Sequence, residues 1–139
     1  MVFQKNGGVY TVRLNVGEEI LTALERLCVQ ERIRFAHVSA IGAADRAVVG
    51  LYNVAEQKYY KNTFVQPMEL VSLLGNVSEK DGGPYIHLHA SFADGSGRVI
   101  GGHLNEAVVS ATCEMFVTVL DGEMGRRTCP QTGLNIFDI

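Results

Sequence analysis

The chain has no tryptophan, only three cysteines, and no apolar run that approaches the length of a membrane-spanning helix. Each shortage removes a class of protein. Cys28, Cys113 and Cys129 are odd in number, far apart and form no CxxC, so there is no disulfide framework, and a reducing compartment, the cytoplasm, is expected. The opening MVFQKNGGVY lacks the apolar core of a signal peptide, which leads to the same expectation. Basic residues are scattered: only Arg126-Arg127 and the Arg32/Arg34 pair cluster, and the net charge is −3. A protein that grips DNA through its phosphates concentrates positive charge on one face, so nucleic acid is not supported. Also missing are a P-loop, an HExxH, a nucleophile elbow and a GxGxxG that leads into a helix, which disfavours nucleotide folds and the common hydrolase signatures.

What is present suits one globular domain over residues 1–139, with 47% hydrophobic and 19% charged residues and enough length to bury a core. Val9–Leu14 is β-branched and aromatic enough for a strand. Ile20, Leu21, Leu24, Leu27 and Cys28 repeat at helical spacing, which predicts a helix over 17–31 with Glu18 and Glu19 in its first turn. No second helix is expected. The remainder reads as strands over 35–41, 47–54, 58–62, 69–77, 85–93, 98–104 and 108–120, with a short one over 134–139. Turn residues fill 78–83. One helix against a mostly antiparallel sheet is an α+β domain.

The chain has four histidines, and three of them lie in PYIHLHASFADGSGRVIGGHLNE, residues 84–106. His87 and His89 are two apart on a strand and so share a face, with rings about 7 Å apart. Asp94-Gly95-Ser96-Gly97 is a hairpin turn, and its length decides where His103 falls. A three-residue loop, Gly95–Gly97, sets His103 opposite His89 and converges all three imidazoles. A four-residue loop pairs His103 with Leu88 and splits the cluster between faces, and a bulge at Gly101-Gly102 reverses either answer. Three converging imidazoles suit zinc with an open fourth position; otherwise they stand solvated on the hairpin. Glu106 lies three residues past His103, in reach as a fourth ligand, an orienting group or a general base.

Other polar residues have plainer readings. Asp94 and Arg98 flank the turn and are expected to be solvated or to pair with each other. His37, among Phe35, Ala36 and Val38, reads as a core or interface histidine. Glu69 and Glu114, inside apolar strands, mark an edge or a subunit contact, and Cys113 reads as a small buried hydrophobe.

The stretch ELVSLLGNVSEKDGGPYIHLHASFADGSGRVIGGHLNE resembles the signature of the plants-and-prokaryotes-conserved (PPC) domain, through the ordered set GN, DG, HLHA, DG and GGHL. HVSAIGAADRAVVGLYN resembles that family's earlier strand pair. The resemblance runs from the N-terminal strand to about Leu120. It implies a single α+β domain, a homotrimer, and a metal, zinc by preference, held by His87, His89 and His103. Plant members place an AT-hook before this domain to contact DNA, but this chain has no Arg-Gly-Arg-Pro, and Gly125-Arg126-Arg127 is not one. Two function classes follow. One is a metal-dependent enzyme acting on a small molecule, with Glu106 handling the proton. The other is a DNA-associated or protein-interaction module without catalysis.

Overall fold

A computed structural model describes all residues, 1–139. Val2–Asn6 (β1) and Val9–Asn15 (β2) form a hairpin, followed by Ile20–Glu31 (α1). Four long strands come next: Ala36–Asn53 (β3), Lys58–Lys80 (β4), Gly83–Ala93 (β5) and Val99–Val119 (β6). Arg126–Thr128 (β7) and Asn135–Phe137 (β8) pair as a small separate hairpin. The main sheet is antiparallel in the order β1-β2-β6-β3-β4-β5, and β5 also pairs with the first residues of β6. Strands β6, β3, β4 and β5 therefore close on themselves. A single α+β domain with one helix is what the sequence predicts.

The helix begins three residues later than its periodicity suggests. Glu19 is its cap, accepting hydrogen bonds from the Leu21 and Thr22 backbone N–H groups. Glu18 is drawn away by the Met1 ammonium and the Asn15 N–H. Ile20, Ala23, Leu24, Leu27 and Cys28 face inward and seal the core against β5 and β6. That core includes Val38, Ala40, Leu73, Leu88, Ala90, Phe92 and Leu104, and Cys113 is buried there as expected.

Several strands predicted as separate are continuous. The segments 35–41 and 47–54 merge into β3, 58–62 and 69–77 into β4, and 98–104 and 108–120 into β6. Gly42, just past the end predicted for the 35–41 strand, lies mid-strand, and only glycine fits there because a Cβ would stand 2.3 Å from the Thr112 carbonyl oxygen. Bulges at Ala40/Gly42 and Ala44/Arg46 bend β3 without ending it. The turn placed over 78–83 shrinks to Asp81-Gly82, both at positive φ, and β4 runs on to Lys80. No helix is long and apolar enough to cross a membrane.

Alternation places Leu88, Ala90 and Phe92 inside and His87, His89 and Ser91 outside. Direct cross-strand partners share a face, so one ladder can be followed around the outside of the sheet. It runs Thr11, Phe116, Ser39, Leu74, His89, His103, Gly50, Lys61.

Candidate metal centre

The turn after β5 is the three-residue form. The Asp94 N–H donates to the Arg98 carbonyl, and the Asp94 carboxylate accepts from the Ser96 N–H, the Ser96 hydroxyl and the Arg98 N–H. Arg98 also pairs with Asp94 at 3.3 Å, as expected. These bonds, the Ser96 hydroxyl first, hold the Asp94 carboxyl below its usual range. With that loop length His89 stands directly opposite His103.

The three imidazoles converge. Ring centroids are 5.3 Å apart for His87 and His89, 5.1 Å for His87 and His103, and 5.5 Å for His89 and His103. One nitrogen from each lies within 4.8 Å of the others. Hydrogen bonds around them run through Asn105, Tyr59 and Arg126, and none uses an imidazole nitrogen. The set fits a divalent ion with imidazole preference, because it offers three nitrogen donors within 4.8 Å of one another.

Burial pushes the His87 imidazole down to about 4, aided by the neighbouring charges of His103, Arg126 and His89. Burial, then His89, also lowers His103. Both rings are therefore neutral near pH 7, the state in which imidazole binds metal. The same shifts give the metal-free protein an acid sensitivity. Unfolded His87 takes its proton near 6.5, while folded His87 resists until about 4, so the unfolded state binds more protons between those values. Stability is full above pH 6.5 and falls below it. The urea midpoint of metal-free protein is expected to be lower at pH 5.5 than at pH 7.5, with less of that drop in His87→Asn; equal midpoints in the wild type would refute the assignment.

The structure places the other predicted residues elsewhere. Glu106 is not in the cluster. Its carboxylate accepts a hydrogen bond from Arg46 Nε. A register shift makes Asn105 the extra residue on β6, so Leu104 faces Val49 and Glu106 faces Val48. Val48 and Gly50 lie on one side of β3, which keeps Glu106 on the face of His103, one pleat away. His37 is not a core residue: Ala36 and Val38 point inward and leave it exposed, opposite Asn76.

Three neighbours carried no sequence signal. Arg126 lies between the Tyr85 and Phe137 rings, 4.7 and 4.3 Å from their centroids, and donates to Ser78 Oγ, Asn76 Oδ1 and the Asn135 carbonyl. Asn76 is directly opposite His87, so Arg126 ties the β7–β8 hairpin down beside the cluster. Tyr59 and Asn105 border His103 on its other side.

Fold and cluster together define a closed antiparallel α+β domain bearing a three-histidine cluster of metal-ligating geometry on its outer face. The family model of the Plants and Prokaryotes Conserved (PCC) domain matches residues 1–121. The chain belongs to that family, as the resemblance implied. A solved metal-containing protein from Archaeoglobus fulgidus is 39% identical, with a TM-score of 0.89 over 99% of this chain and 98% of that one. A Bacteroides thetaiotaomicron protein, provisionally described as DNA-binding, is 30% identical with a TM-score of 0.96 over 99% of this chain and 96% of that one. A bifunctional protein GlmU from Synechococcus sp. (strain JA-3-3Ab) is 30% identical over 128 residues, which are 90% of this chain and only 19% of that protein.

Proposed function

We propose that this protein is a cytoplasmic homotrimer that holds zinc on His87, His89 and His103 and acts on a small molecule there. The observation that carries this reading is the convergence of three uncommitted imidazole nitrogens within 4.8 Å on one outer face. The metal-containing relative supports it. Zinc is preferred because it favours imidazole and tolerates an open site. A bound divalent ion supplies Lewis acidity, drawing electron density from a ligand oxygen. Glu106 is the residue assigned to exchange a proton with the ligand, at the carboxylate that now accepts from Arg46. Three free cysteines suit a reducing compartment. The trimer is supported by exposed apolar residues on the same face as the histidines: Ile41, Val71, Leu74 and Phe116.

A second reading, an interaction module without turnover, is favoured by that same apolar face; the net charge of −3 argues against DNA as its partner. Metal content separates the two. Elemental mass spectrometry of untagged protein, purified without chelator, should find about one zinc per chain, lost in the His87→Ala/His89→Ala double variant. Equal, near-zero metal in both would leave the interaction module as the better account.

A further inference from the structure

We propose that Tyr59 is the ligand-positioning residue of this centre, and that the ligand it holds is a small carboxylate. The inference rests on the metal reading above.

Gly50 stands directly across the ladder from His103. A Cβ at Gly50 would stand 2.2 Å from the Tyr59 hydroxyl and 2.4 Å from its Cζ. The hydroxyl end of the Tyr59 ring therefore fills the space over the bare backbone of Gly50. The two rings meet edge to face, 6.2 Å between centroids.

Asn105 fixes the hydroxyl. Its Nδ2 donates to Tyr59 Oη at 2.7 Å and to the His103 carbonyl at 3.0 Å. Both amide hydrogens are spent, so Asn105 is held in one orientation. Tyr59 Oη is an acceptor in this pair, and its own O–H has no acceptor in the protein. Tyr10, Tyr52 and Tyr60 instead donate to Glu31, the Thr132 carbonyl and Glu56, while Tyr85, farther along β5, also accepts from an asparagine, Asn135, at the longer distance of 3.4 Å. A fixed donor with a free hydrogen thus borders the histidine cluster. The bulge at Asn105 creates it, because the extra residue turns the amide toward β4.

Charge selects the ligand. A divalent ion there keeps its full double charge, because the cluster contains no carboxylate. Lys61 lies next on the ladder past Gly50, with Nζ 6.0 Å from the Tyr59 ring centroid. Arg46 follows along β3, and Arg126 stands on the His87 side. Glu106 is the acid facing this region, and Arg46 partners it. A carboxylate held here would balance the ion's charge and offer an acceptor for the Tyr59 hydroxyl.

Tyr59→Phe removes only the hydroxyl and keeps the ring on Gly50. Cobalt(II) replaces zinc, and its visible absorption reports ligands at the ion. Acetate is titrated at pH 7 into both cobalt proteins. The expected result is equal cobalt stoichiometry and acetate binding about tenfold weaker in Tyr59→Phe, the loss of one hydrogen bond to a charged group. Equal acetate affinity in the two proteins, or no acetate response in the wild type, would overturn the role of Tyr59 while leaving the metal reading intact. No cobalt band in the wild type would overturn both.

Discussion

Gly75→Ala is expected to destabilise the protein by about 3 kcal/mol and to empty the histidine cluster. Gly75 pairs with Leu88, the residue between His87 and His89. A Cβ on it would lie 2.0 Å from the His87 carbonyl oxygen and 2.8 Å from the Leu88 Cα. Both are backbone atoms and cannot swing aside as a side chain would. Relief requires β4 and β5 to separate at the place that carries two of the three clustered histidines. Gly83→Ala is the control, because its Cβ would meet nothing closer than 4.0 Å. Urea unfolding and metal analysis of the two variants test the idea. If Gly75→Ala unfolds at the wild-type midpoint and keeps its metal, close approach at Gly75 is not what sets the cluster.

Phe116→Asp is expected to convert the proposed trimer into folded single chains. Phe116 is 52% exposed and Leu74 54%, and the ladder joins them through Ser39. Apolar side chains gathered on one sheet face exclude water only when another surface covers them. A carboxylate in the middle of that contact would be buried without a partner, which costs several kcal/mol. The residue faces outward, so the core should be untouched. Light scattering should give one chain mass, 15.2 kDa, for the variant and three times that for the wild type, with unchanged circular dichroism. A variant that stays trimeric would place the contact elsewhere, and a monomeric wild type would remove it.

Much of the site was legible before the fold was. The HxH spacing fixed a shared face for His87 and His89, and the short Asp94–Gly97 turn left only two registers for His103. The choice between them depends on the Asp94 carboxylate tying down the loop through hydrogen bonds within the turn, a side-chain detail that spacing alone does not carry. Strand ends were the weakest expectation. Glycine at position 42 looks like a stop whether it ends a strand or lets two strands cross closely, and here it does the second. Tyr59 was invisible for a related reason. Its meeting with His103 depends on Gly50 being bare and on the bulge at Asn105, and the sequence shows neither partner beside the other. Glu106, three residues past His103, shares its face only because of the bulge at Asn105, and neither that bulge nor the pairing with Arg46, sixty residues earlier, was foreseeable.

His89 and Leu74 are direct partners on one ladder. A slip of one residue between β4 and β5 would carry β5 over as a unit, turning its histidines inward and Leu88, Ala90 and Phe92 outward. In such a chain the three imidazoles no longer meet, and core side chains stand in their place on the outer face. One error of register then erases the cluster and exposes the core together, so an intact histidine triad reports that β4 and β5 are correctly paired.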